Sequence, residues 1–213
     1  VAQPVFAITN QEVERQAQIF RKTIRFIAFT SFPFLIGIAF ISREFILMID
    51  AKWLPSVPIL QIYCFWGILA SIQFLYSQFI ISCGKSDLYF WNTILSGLLQ
   101  IAAAAVTLRF GIYYLALSAL VTSLIYALVW HWFVSKIIPI TLWQILKDCM
   151  PYALVTAGGF GLTWLLTHQI ETVSLRMLLK ILLAAACYAL AMWYGKSVIF
   201  RESITFFIKQ RKR

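Results

Sequence analysis

Apolar residues in this chain gather into six long stretches separated by short polar breaks. A bilayer core takes about 20 predominantly apolar residues in helical form, and each stretch is close to that length. The first, Thr23 to Ile41, carries Pro33 and Gly37 at its middle, where a kink is predicted because proline removes a backbone donor. Apolar character resumes from Phe45 to Ile49. The second runs from Val57 to Ser82 and opens with Pro55 and Pro58, which suit a helix start. The third, Leu88 to Leu108, follows the breaker Cys83-Gly84-Lys85-Ser86-Asp87, in which Ser86 or Asp87 can cap the new helix. The fourth, Gly111 to Val134, follows so closely that the two form a tight antiparallel hairpin. The fifth, Pro151 to His168, carries Gly158, Gly159 and Gly161, which allow a neighbouring backbone to come close. The sixth, Val173 to Phe200, is long enough to require tilt or a stub of helix outside the lipid. The period-2 alternation of a membrane barrel strand is absent, as are repeats of 20 to 50 residues. The predicted fold class is therefore all-α: a polytopic helical membrane protein of six spans.

Composition agrees: 62% of the residues are hydrophobic and 12% charged, far from the balance of a soluble domain or a disordered tail. The net charge of +10 does not indicate nucleic acid, because the basic residues lie between apolar runs rather than on one polar face with aromatics. Their distribution gives orientation instead. Arg15, Arg21, Lys22, Arg25, Lys85, Lys136, Lys147, Lys196, Arg201 and the terminal basic cluster share one side, against Arg43, Lys52, Arg109 and Arg176 on the other. The positive-inside rule places both termini and the richer loops in the cytoplasm. Cys64, Cys83, Cys149 and Cys187 show no metal-ligand spacing and are read as packing residues. The chain opens without an initiator Met or a secretory signal and is expected to begin within a longer protein.

Candidate chemistry is cationic and neutral rather than acidic. The acidic residues are expected in loops or at helix ends, His131 and His168 near opposite faces, and no P-loop or dinucleotide turn is present. Catalysis has no constellation to support it, and no cofactor is implied. Lys180 is the ionisable residue inside a span, one helical turn beyond Arg176. It either marks a binding site or snorkels to the interface. Arg21 and Arg25, four apart with Lys22 alongside, either attract a diphosphate head group or anchor the chain on anionic lipid. Gln61, Gln73, Gln78, Asn92 and Gln100 either bind sugar hydroxyls in an aqueous cavity or join helices to one another. Trp53, Trp130, Trp132, Trp143 and Trp193 fit an interfacial belt.

The order of features from Arg21 to Asp87 carries a resemblance. A basic helix start leads into FIAFTSFPFLIGIAFISREFILMI, then DAKWLPSVPILQIYCFWGILASIQF, then a helix closing on ISCGKSD. This resembles the polysaccharide flippases of the multidrug, oligosaccharidyl-lipid and polysaccharide exporter superfamily, with the Lys52-Trp53 pair and the Gly84-Lys85 turn in place. Asp50 stands where many members have Gly. The resemblance implies the C-terminal part of a two-lobe fold in a bacterial inner membrane, moving a polyprenyl-diphosphate-linked oligosaccharide outward by alternating access. On this alignment residues 1–22 are the cytoplasmic end of a preceding helix and a basic loop, 23–200 the six-helix domain and 201–213 a basic cytoplasmic tail. Arg21, Arg25, Lys180, Gln61 and Gln73 become the substrate-binding candidates. The implied partners are lipid-linked oligosaccharide, membrane lipids, an N-terminal lobe of the same protein, and polysaccharide polymerase and glycosyltransferases. The alternatives are a drug antiporter or peptidoglycan-precursor flippase of the same superfamily, and a membrane polymerase or ligase.

Overall fold

The computed structural model describes residues 13–194; the expected basic tail, the segment before Val13 and the end of the sixth span lie outside the described residues. Six helices are long and apolar enough to cross a membrane: α1 Val13–Ile49, α2 Val57–Ser82, α3 Ser86–Thr107, α4 Ile112–Ser135, α5 Leu142–Thr167 and α6 Val173–Tyr194. Short 3-10 turns, Ala51–Ser56 and Leu108–Phe110, lead into α2 and α4. The protein is a multi-pass helical membrane protein. Phe34, Ile101 and Leu154 stand exposed on its flanks, which only a lipid solvent tolerates in such numbers.

Helix α1 extends well past the predicted Thr23 to Ile41 at both ends. Its 37 residues make a rod of about 55 Å, nearly twice the thickness of the hydrocarbon layer. The early start follows from helical spacing: Gln16, Ala17, Phe20, Ile24 and Ala28 recur every three or four residues and are all buried. The helix continues through Pro33. Proline has no N–H to give the Phe29 carbonyl four residues back, and in its place the Tyr188 hydroxyl of α6 donates to that oxygen at 2.8 Å.

Breaks between helices follow local chemistry. After α2, Gly84 takes φ +73°, its N–H reaches the Ile81 carbonyl at 2.9 Å and the Lys85 N–H reaches Ile80 at 3.2 Å, the paired bonds of a glycine-terminated helix. Neither Ser86 nor Asp87 caps α3: the helix begins at Ser86, behind Lys85, with no side-chain cap. Asp50 caps the turn before α2, accepting from the Lys52 N–H at 3.0 Å. That bond, with help from the Lys52 side chain, holds its carboxyl below the ordinary value. Helix α5 starts at Leu142 rather than Pro151, because Thr141 and Gln144 cap each other reciprocally; Pro151 lies inside it.

Helix α1 packs against α2, α5 and α6, while α2 packs on α4 and α4 on α3. The tightest core lies where α1 and α5 begin and α2 and α4 end. There Phe20 sits 5.3 and 5.2 Å from the rings of Tyr76 and Phe79, walled by Ile24, Ile80, Val134 and Ile138. Trp130 belongs to this core, buried and stacked on Tyr89, and so leaves the predicted interfacial belt. Of the three glycines of α5, only Gly159 sits at a close approach, a Cβ there falling 3.4 Å from Cys187; Gly158 and Gly161 face open space.

Tyr188→Phe removes the surrogate donor at Pro33 and is expected to cost about 1 kcal/mol, read as a lower Tm in detergent. Pro33→Ala in the same chain restores the amide, and the double variant is expected to recover that loss.

Candidate functional site

Two clusters of charge occupy opposite ends of α1. At its first end, Arg21 forms a two-pronged contact with Asp148 of α5, Nε to Oδ2 at 2.7 Å and Nη2 to Oδ1 at 3.0 Å. Arg25 approaches the same carboxylate at 3.1 Å. Both arginines of the predicted stripe thus face an internal anion, so neither a diphosphate nor anionic lipid is needed to hold them in place. Asp148 lies within α5 rather than in a loop because the capping box carries that helix back to Leu142.

At the other end, Glu44 of α1 meets Lys180 and Arg176 of α6. Lys180 Nζ donates to Glu44 Oε1 at 2.7 Å, and Arg176 Nε lies 3.5 Å from the same oxygen. Glu44 is 4% exposed and Lys180 6%. Lys180 does not snorkel: its ammonium is turned inward, 4.4 Å above the Phe40 ring, where the ring's negative face adds to the carboxylate's attraction. Glu44 overturns the expectation that acidic residues stay in loops and helix ends. The charged pair Arg43-Glu44 reads in sequence as the end of a span, yet α1 continues to Ile49 and turns Glu44 inward. The signal was its depth: Glu44 and Lys180 both lie within about two turns of the same membrane face, so antiparallel helices bring them level.

The cluster lines a cavity of about 340 Å³ bounded by Phe40, Arg43, Glu44, Gln61, Trp164, His168, Arg176 and Lys180. Three cations, Arg43, Arg176 and Lys180, line it with one carboxylate, whose Oε2 has no hydrogen-bond partner among the described residues. Trp164 and His168 stack at 5.5 Å. Gln61 spans the wall, its amide donating to the Ala39 carbonyl at 3.2 Å and the Ser42 hydroxyl at 3.3 Å. Adjoining this cavity is an apolar one of about 580 Å³ between α1, α5 and α6, lined by Phe29, Phe34, Phe160, Ile181 and Ala184 among others; Lys180 and Phe40 border both. A charged compartment thus opens beside a greasy one at a single lysine.

Gln73 lies elsewhere, its amide donating to the Ser123 carbonyl at 2.7 Å and hydroxyl at 2.8 Å. Gln100 accepts from Thr122 at 3.1 Å. Both tie helices together, as does His131, whose Nδ1 shares a 3.1 Å hydrogen bond with the Tyr76 hydroxyl. No group of His, Cys, Asp and Glu among the described residues could hold a metal ion.

Comparison with known proteins defines the class. A solved lipid II flippase, MurJ in an inward closed conformation, superimposes on 96% of this chain and 43% of its own with a TM-score of 0.70 at 17% identity. The fold is therefore that of part of a MATE-like transporter. A family model described as "Polysaccharide biosynthesis protein" matches residues 1–58. Teichuronic acid biosynthesis protein TuaB of Bacillus subtilis (strain 168) is 26% identical over 194 residues, 88% of this chain and 40% of that protein. Lipopolysaccharide biosynthesis protein WzxC of Escherichia coli (strain K12) is 26% identical over 104 residues, 48% of this chain and 21% of that protein. The chain spans less than half the length of each of these three. The resemblance carried by Arg21 to Asp87 agrees with these findings: the chain is similar in sequence to a teichuronic acid and a lipopolysaccharide biosynthesis protein, over 194 and 104 residues, and in fold to a lipid II flippase.

Lys180→Met leaves Glu44 buried with only the longer Arg176 contact and is expected to lower stability by about 3 kcal/mol. Glu44→Leu combined with Lys180→Met removes both charges and is expected to regain most of it, measured by thermal unfolding in detergent.

Proposed function

We propose that this chain is part of a transporter that carries a polyprenyl-diphosphate-linked oligosaccharide from the cytoplasmic to the outer face of a bacterial inner membrane by alternating access. The observation that carries the reading is the charged cavity opening beside the apolar one at Lys180. An amphiphile with an anionic head and a hydrocarbon tail needs both compartments in contact, and neither serves a free ion or a plain lipid chain as well. The cationic excess over Glu44 suits a diphosphate, since Arg offers a planar donor fork to its oxygens and Lys a point charge. In this reading Arg176 and Lys180 meet the head group, Gln61 contributes to the same wall, and Arg21 and Arg25 hold the cytoplasmic end of α1 against α5.

The charge distribution supports cytoplasmic ends, with residues 23–200 as the membrane domain between basic cytoplasmic segments at 1–22 and 201–213. The lengths of the relatives leave room for a second lobe that would complete the pathway. The names of TuaB and WzxC supply the setting, saccharide biosynthesis, in which polymerases and glycosyltransferases would act before and after the transporter.

Deleting the intact gene in its host is expected to strand lipid-linked precursor on the cytoplasmic face and abolish surface polymer. Complementation with Lys180→Gln and Arg176→Gln together, compared at equal protein level in the membrane, is expected to restore export roughly a hundredfold less well than the unaltered gene, the scale of two lost charge-assisted contacts. Precursor that reaches the outer face but stays unpolymerised in the deletion strain would overturn the reading in favour of a membrane polymerase or ligase.

A further inference from the structure

The carboxylate of Glu44 stands where the cations of the charged cavity converge. Its Oε1 takes the Lys180 ammonium at 2.7 Å and has Arg176 Nε at 3.5 Å, so one oxygen serves two cations. The pairing is incomplete on both sides: Glu44 Oε2 and Arg176 Nε are buried without a hydrogen-bond partner among the described residues. Arg43, exposed on the same wall, forms no ion pair among them. A buried ion pair that serves stability uses its remaining donors and acceptors as well. This one leaves a donor and an acceptor idle, with a cavity of about 340 Å³ at its side.

Access to the cations is unequal. The side chains of Glu44 and Lys180 are 5% and 7% exposed, that of Arg176 25%. A ligand entering the cavity therefore reaches Arg43 and Arg176, but not the Lys180 ammonium, which lies between Glu44 and the face of Phe40. An anion within hydrogen-bonding reach of both Lys180 and Arg176 would stand against the Glu44 carboxylate, and two negative charges in contact at a poorly hydrated site repel strongly. Binding is then an exchange rather than an addition: an oxygen of the incoming anion takes Lys180 and Arg176 as Glu44 gives them up. Arg43 adds a third cation that Glu44 does not use.

We infer that Glu44 is a built-in competitor for the anion site, holding Lys180 and Arg176 closed until an anionic head group displaces its carboxylate. The inference rests on the reading of this cavity as a head-group site and adds how its affinity is set. Only molecules in which Lys180 has left Glu44 bind with full strength, so the apparent dissociation constant is the intrinsic one divided by that fraction. Breaking one charge-assisted contact makes the fraction roughly one in ten to one in a hundred. A carboxylate tethered beside the site also retakes the cations as the ligand leaves, which hastens release of an anion that three free cations would hold.

The test is pyrophosphate binding to the full-length protein in lipid nanodiscs, by isothermal titration calorimetry at fixed ionic strength. Glu44→Gln keeps the size of the side chain and removes its charge, and is expected to bind pyrophosphate roughly tenfold or more tightly than the unaltered protein. Adding Lys180→Gln to it is expected to cancel the gain. Asp87→Asn, which removes an exposed carboxylate elsewhere, is expected to leave the affinity unchanged; a gain there equal to that of Glu44→Gln would overturn the inference as a mere effect of net charge. Should Glu44→Gln fail to fold, Glu44→Asp, whose carboxylate is drawn back by one methylene, is expected to tighten binding several-fold. Equal affinity in Glu44→Gln and the unaltered protein would overturn the inference while leaving the anion site in place. Weaker binding in Glu44→Gln would overturn it too, showing a residue that positions the cations instead of competing for them. Binding by neither protein would remove the anion site itself, and with it both the inference and the reading on which it rests.

Discussion

Inside hydrocarbon a polar group has no solvent to fall back on, and each one must find its partner within the protein. The Phe29 carbonyl shows how strictly this governs the present fold. Pro33 withdraws its regular donor, and a tyrosine from a helix more than a hundred and fifty positions away in sequence supplies one. The same demand explains why Gln61, Gln73 and Thr122 reach across helix boundaries and why Tyr126 spans from α4 to the backbone of α3. Because nonpolar contact alone gives helices in lipid little reason to choose one neighbour over another, these crossings help to fix which helix lies beside which.

Charge obeys the same logic with higher stakes. Each acidic residue held within a helix pair, Asp148 between α1 and α5 and Glu44 between α1 and α6, is matched by two cations. The excess positive charge is distributed to the two ends of one helix, leaving the middle of α1 to proline, aromatic and small residues. Uncharged polar groups on the far side of α2 divide the work further: ionic partners at the ends of α1, hydroxyl and amide groups among α2, α3 and α4.

Much of the architecture was legible in the sequence because helix length in a bilayer is set by hydrophobic thickness, and runs of that length stand out. What was illegible lay at the ends. Pro151 looked like a helix start because proline favours the first turn, while the true cap, Thr141 with Gln144, lay ten residues upstream in plain view as a Ser/Thr-x-x-Glu/Gln pattern. Arg43-Glu44 looked like the edge of a span because charge normally marks the water boundary. Whether a carboxylate inside a helix faces water or a lysine on another helix depends on which helices are neighbours, and one sequence does not state that. The same ambiguity hid the role of Arg21 and Arg25: their spacing was visible, their partner Asp148 was not. Gln73 shows the remaining limit, since an amide that binds a ligand and one that binds a neighbouring helix have identical side chains.

The length of α1 gives these details a mechanical meaning. It is one continuous helix fastened to α5 at one membrane face through Asp148 and to α6 at the other through Glu44, with a rung of its own ladder replaced at mid-depth by a side-chain hydroxyl. Such a beam is stiff over each half and soft at its centre, and its soft point is held by the same helix, α6, that pins its far end. Flexing at Pro33 therefore breaks no amide bond of α1; it asks only that Tyr188 follow. A displacement of α6 would be felt at both the fulcrum and the tip of α1 together, which couples the two faces of the membrane through one rod rather than through a relay of separate contacts.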